Sequence, residues 1–204
     1  MIFEEQIARK PDHYPWTEEF MRAMWEGHWT DKEFSFTSDV QDYKVNMTEQ
    51  EREIIIRALS AIGQIEIAVK TFWAKIGDNT HRYYKDSKKQ FVYALILFTL
   101  FVENVSLFSQ FYIINWFGKK NLLKDTNQQT AYTAREEDIH AKIGIKLVNV
   151  IRKEHPELFD KELEDKILQE AEEAFKAESQ IIEWMINGIK EEGLSSELLK
   201  EFGI

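Results

Sequence analysis

Cysteine does not occur in the 204 residues. Its absence removes a disulfide framework and any thiolate metal site, and it fits a reducing, cytoplasmic setting. Proline and glycine are scarce, at three and eight residues. They leave little material for turns, while long stretches of Ala, Leu, Ile, Glu and Lys favour helix over strand. Excess positive charge is missing as well: the formal net charge of −10 argues against nucleic acid as the main partner. Residues 1–15 place acids early and contain no apolar run, so no signal peptide is expected there. What the chain does have is apolar bulk, 44% hydrophobic and 13% aromatic, enough to bury one sizeable core. The expected fold is all-α, a single domain over residues 1–204. Within it, 1–47 form an arm with a short helix and 48–204 form an antiparallel helical bundle.

Helix punctuation places the elements. "TEEFMRAMWEGHW" begins with Thr17 as N-cap and makes a short aromatic-rich helix. "FSFTSDVQDYKVNM" reads as an irregular connection. A capping box from Thr48 to Glu51 opens a long helix that is expected to end near Gly77. The next helix spans about Lys88 to Phe117, and "KKNLLKDTNQ" is the loop after it. A third long helix covers about Gln128 to Glu154 and stops at His155-Pro156, since the residue before proline disfavours helix. A fourth, about Lys161 to Glu191, is acidic on its solvent face. There is no internal repeat and no low-complexity linker.

The stretch from Phe91 to Phe117 is apolar nearly all round and contains neither Lys nor Arg. Such a helix is either central in a soluble bundle or crosses a membrane. Glu103, Asn104, Ser106, Ser109 and Gln110 fall across its middle, and a central acid costs several kcal/mol in lipid, so no membrane partner is expected. In a soluble bundle Glu103 is a carboxylate in an apolar interior and needs a partner. A basic side chain, a protonated neighbour or a metal cation would serve.

"REEDIHAKIG", residues 135–144, bears on that choice. Glu137 and His140 are i and i+3 on one helix, so both project from one face about 5 to 6 Å apart and can share one ion. Carboxylate plus imidazole suits iron, manganese or zinc, whereas carboxylates alone suit magnesium or calcium. Glu-x-x-His by itself arises by chance in acidic helices. Glu66, in "AIGQIEIAV", is a further acid that interrupts an apolar stretch, although it could equally pair with Lys70 one turn on. Carboxylates from separate helices converging with a Glu-x-x-His pair is the arrangement of di-iron and di-manganese bundles.

"LFVENVSLFSQFYIINWF" and "AREEDIHAKIGIKLVNVIRKEHPE" resemble the two metal-bearing helices of the class I ribonucleotide reductase small subunit. "EREIIIRALSAIGQIEIAVK" resembles that family's first ligand helix, and "EGHWTDKEF" the segment before it that carries a tryptophan. The resemblance runs from about Tyr14 to Ile186, with the motifs in the same order. It implies a ferritin-like antiparallel bundle, a dinuclear iron and/or manganese centre, a homodimer, and a large subunit as partner. That partner would use a radical generated here to reduce ribonucleotides to deoxyribonucleotides. Carried over by position, Glu66 matches the first carboxylate ligand, and Glu103 the carboxylate of the second metal. Glu137 and His140 match the last Glu-x-x-His, with Glu137 as bridge. Trp29 matches the tryptophan of the radical and electron route, and Glu136 stands where the family usually has Asp. Phe98, Phe101, Phe108, Phe111 and Tyr112 would line the pocket of such a centre, or serve as plain core packing.

The departures are specific. The family carries an earlier Glu-x-x-His and a radical-bearing tyrosine between the positions matched by Glu66 and Glu103, whereas "KIGDNTHRYYKDSKK" passes straight from one helix to the next. His81 has no Glu three residues before it and is not a ligand candidate. The closing "LKEFGI" is unlike the family's flexible tail. The second metal position thus keeps Glu103, Glu137 and His140, and the first keeps Glu66 and the bridge. Two other classes fit the residues: a stand-alone ferritin-like oxidase or metal store, and a metal-poor helical scaffold in which Glu103 is simply protonated.

Overall fold

The computed structural model describes residues 2–4, 7–8, 10–83 and 88–202; at 73–83 and 202 it describes backbone alone. The short N-terminal helices are α1 (Thr17–Glu26) and α2 (Thr37–Gln41), and α2 runs into a π turn at Asp42–Asn46. The bundle is built from α3 (Glu49–Tyr83), α4 (Lys88–Leu97), α5 (Phe108–Lys119), α6 (Lys124–Glu154) and α7 (Lys161–Ile186), followed by the short α8 (Ser196–Phe202). Between α4 and α5 the chain stays helical through a π segment, Phe98–Ser106, so that Lys88–Lys119 is one continuous rod.

Several boundaries follow the sequence reading and several do not. The capping box is present: the Thr48 amide donates to Glu51 Oε2 at 2.7 Å, and the Glu51 amide donates to Thr48 Oγ1 at 3.2 Å. At α1, Trp16 holds the N-cap position, and Thr17 donates its hydroxyl to the Tyr14 carbonyl instead. Gly77 does not end α3, which continues to Tyr83; one glycine costs a helix interior only about 1 kcal/mol. The helix α6 begins at Lys124 rather than Gln128, because its cap lies far away in sequence. Asp39, buried on α2, accepts from the Asp125 and Thr126 amides and from the Thr126 hydroxyl at 3.1, 2.7 and 2.7 Å. The expected irregular stretch 34–47 is therefore partly helical. Asn187, in the left-handed region at φ 51°, stops α7 five residues before the expected Glu191.

The core forms two clusters. One joins Ile54, Ile55 and Ala58 of α3 with Ile113, Ile114 and Phe117 of α5 and Ile182, Met185 and Ile186 of α7. The other joins Val92, Leu95 and Ile96 of α4 with Ile151 of α6 and Leu163 of α7. Each such fully buried aliphatic side chain contributes about 1.5–3 kcal/mol. The rod Lys88–Lys119 supplies side chains to both clusters and packs against α3, α6 and α7. By length and composition it could cross a membrane; in this fold its middle, the π segment, carries a buried acid.

Candidate metal centre

The π segment presents Glu103 to α6, where Glu137 and His140 lie one turn apart. Glu103 is 1% exposed and Glu137 4%. The His140 Nδ1 atom is 3.1 Å from Glu137 Oε2 and 3.5 Å from Glu103 Oε2, and one donor atom from each of the three residues lies within 4.8 Å of the others. A π turn widens the helix and redirects the side chains on it, and such turns recur at functional sites. Two side chains occupy the widened backbone: Asn104 Nδ2 donates to the Thr99 carbonyl at 2.5 Å, and Ser106 Oγ to the Phe101 carbonyl at 2.9 Å. Both bonds reach five residues back, the spacing of the π ladder.

Charge in this cluster is set by burial and contact. Hydrogen bonds to Glu103 and Glu137 push the His140 imidazole up to about 10, so with no cation bound it is an imidazolium between two acids. Burial holds the Glu137 carboxyl well above the usual carboxylate range, and contact with Glu103 adds to the rise. Two buried carboxyls and an imidazole with their donor atoms within 4.8 Å of one another are also suited to a cation. Two carboxylate oxygens and an imidazole nitrogen make a donor set for a transition ion, and uptake would release the protons held there.

The other sequence-derived candidates fall around this set. Glu66, on α3, is exposed as a residue and stands outside the three-donor group. Its carboxyl is nevertheless pushed up, by burial first and then by the negative charge of Glu103, while His140 opposes the rise. The described donors therefore fit one ion closely, with Glu66 as an outlying carboxylate in electrostatic reach. Trp29 lines a cavity of about 280 Å³ with Glu136, Arg135 and Ile139, which are neighbours in sequence of the Glu137–His140 pair and not members of the three-donor group. Its ring meets Phe34 and Tyr132 edge-on, with centroids 5.7 and 6.3 Å away. The side chain of His81 lies outside the described residues.

The aromatic residues of the rod meet different neighbours, and Phe108 and Phe111 meet each other edge-on with centroids 5.7 Å apart. Phe98 stacks on Phe72 at 3.8 Å, Phe101 lines a cleft against α7, and the Tyr112 hydroxyl donates to the Gly193 carbonyl. Sequence reasoning missed Glu178 of α7. It is 8% exposed and accepts a 2.5 Å hydrogen bond from Ser109 Oγ, and burial pushes its carboxyl up. The signal was available: Glu178 precedes Ile182 by four and Met185 by seven, on the core face of the helix.

Comparisons with known proteins bear on the same residues. The family model described as "Ribonucleotide reductase, small chain" matches residues 6–81 and 77–203. The two matches meet at the junction where the sequence departs from the family pattern. The subunit beta of ribonucleoside-diphosphate reductase from Chlamydia pneumoniae is 33% identical over 89 residues, 44% of this chain and 26% of that protein. The aligned region thus spans about a quarter of the relative's length. The ribonucleotide reductase R2 subunit from Clostridium botulinum superposes with a TM-score of 0.68 at 18% identity, covering 93% of this chain and 78% of that one. A protein from Bacillus halodurans described as a class I ribonucleotide reductase gives 0.68 at 15% identity, covering 91% and 78%. These structures share the ferritin-like helical bundle. With the family model matched on both sides of the junction, this chain belongs to the ribonucleotide reductase small-chain family.

Proposed function

We propose that this chain acts as the small subunit of a class I ribonucleotide reductase, and that Glu103, Glu137 and His140 hold the tighter of two metal positions. The observation that carries the reading is the convergence of those three donors, from two separate helices, in a buried site. Glu137 would be shared with the second position, for which Glu66 would supply the outer carboxylate. Iron and manganese both suit these ligands. When bound, a redox-active metal pair supplies the oxidising power from which a radical is made for a large subunit that converts ribonucleotides to deoxyribonucleotides for DNA replication.

The chain's own residues have definite tasks in this reading. His140 would hold a metal through its imidazole as a neutral ligand, releasing the proton it otherwise shares with Glu137 and Glu103. Glu103 and Glu137 would supply negative charge from buried positions, where electrostatic interactions are stronger than in water. Trp29, packed on Tyr132 beside Glu136, is the residue we assign to electron transfer toward the large subunit. We also take residues 1–204 as one domain, working as a homodimer in the cytoplasm with neither nucleic acid nor membrane as partner.

Elemental mass spectrometry of the purified protein tests the reading. Iron or manganese is expected in the wild type, and neither in Glu103→Ala or His140→Ala. Glu66→Ala is expected to lower the content without abolishing it. Metal content that is the same in all four proteins, or nil in all four, would sink the assignment.

A further inference from the structure

Glu103 and His140 sit on different helices, so something must fix how close those helices come. Four residues before Glu103 on the π segment is Thr99; four residues after His140 on α6 is Gly144. Both are buried, and they face each other across the helix contact. A Cβ built on Gly144 would lie 2.6 Å from Thr99 Cγ2, 3.0 Å from Thr99 Cβ and closer still to Thr99 Oγ1. A side chain larger than hydrogen fits there only if the Thr99 side chain or one of the two helices shifts. The Thr99 hydroxyl is itself buried, with no hydrogen-bond partner among the described residues, so its place rests on shape and not on polar bonding. Glycine is unfavourable in a helix interior, and this one occupies a long helix in the same stretch as the Glu-x-x-His pair. Gly63 on α3 is the contrast: a Cβ there would meet nothing within 4 Å.

We infer that Gly144 and Thr99 act as a spacer, a pair of positioning residues whose contact sets the separation between Glu103 and His140 and so tunes the site for its ion. The inference deepens the metal reading and rests on it for its purpose, though the spacing itself can be measured without metal. Groups that orient metal ligands through hydrogen bonds commonly govern affinity by about 10- to 100-fold, and a contact that fixes the ligands' separation is expected to act on the same scale.

The test uses the full chain in five forms: wild type, Gly144→Ala, Gly144→Ala with Thr99→Ala, Thr99→Val, and Gly63→Ala. Crystal structures of the metal-free proteins give the Glu103 to His140 distance, and Mn(II) titration followed by electron paramagnetic resonance gives affinity. Gly144→Ala is expected to lengthen the 3.5 Å separation and to weaken Mn(II) binding at least about tenfold. The double variant, which removes the two closest atoms, Thr99 Oγ1 and Cγ2, and leaves only the Thr99 Cβ at 3.0 Å, should move both most of the way back to wild type. Thr99→Val keeps the shape without the hydroxyl and should behave as wild type, as should Gly63→Ala. An unchanged distance in Gly144→Ala, or a double variant no better than the single, would overturn the spacer. If Gly144→Ala does not fold, recovery of folding and spacing in the double variant supports the spacer, and lack of recovery overturns it. If the distances shift as stated while no protein binds Mn(II), the spacer stands and the metal assignment falls.

Discussion

Two buried acids illustrate how differently a carboxyl can be accommodated at the scale of one residue. Glu103 meets an imidazole and a second carboxyl, a constellation that a cation can complete. Glu178 meets one serine hydroxyl and apolar side chains, and its pKa is raised by burial. A carboxyl whose folded pKa lies above its unfolded value contributes fully below the unfolded pKa, and that contribution is lost as pH rises through the folded pKa. Glu178→Gln carries no charge at any pH and can still accept the Ser109 hydrogen bond. The variant is therefore expected to melt at a higher temperature than wild type near pH 8, with the gain shrinking toward pH 4. Thermal melts of both proteins across that range check it. A variant less stable than wild type at pH 8 would show that ionised Glu178 has a favourable partner.

Capping of α6 by α2 is the clearest interaction at the scale of elements. Asp39 satisfies two orphan amides and a hydroxyl at the start of α6 from more than eighty residues away in sequence. Asp39→Ala is expected to cost about 1–2 kcal/mol, at the upper end of the range for helix caps, read as a lower urea midpoint with unchanged slope. Faster amide exchange at Asp125 and Thr126 should accompany it. The same contact explains what the sequence could reveal of this helix. The Thr48 capping box was legible because cap and helix are neighbours, whereas the start of α6 was not, because its cap belongs to another element. Glu103 stood out as the single acid of an apolar run, and Glu137 with His140 by their spacing. The π segment was not legible: a one-residue shift in the hydrogen-bond ladder leaves the hydrophobic pattern nearly intact, and only Asn104 and Ser106 hint at it. Glu66 was recognised as an interruption, but its exposure depends on what packs beside α3, which no local pattern encodes.

At the scale of the whole molecule, the rod Lys88–Lys119 joins parts that would otherwise be separate. Val92 and Leu95 anchor one cluster and Ile113 and Phe117 the other, with the acid-bearing π segment between them. Ligand binding to the native state alone stabilises by about 2.7 kcal/mol at a free concentration one hundred times Kd. Manganese added in that excess is expected to raise the melting temperature of the wild type and leave that of His140→Ala unmoved, which differential scanning calorimetry can follow. The rod also determines the form of the melt. Neither cluster can come apart without loosening the helix that the other grips, so unfolding is expected as one cooperative transition whose calorimetric and van't Hoff enthalpies agree. An ion held at the middle of the rod then acts on the unfolding of both ends at once, and a fluorophore placed far from the metal would report its arrival.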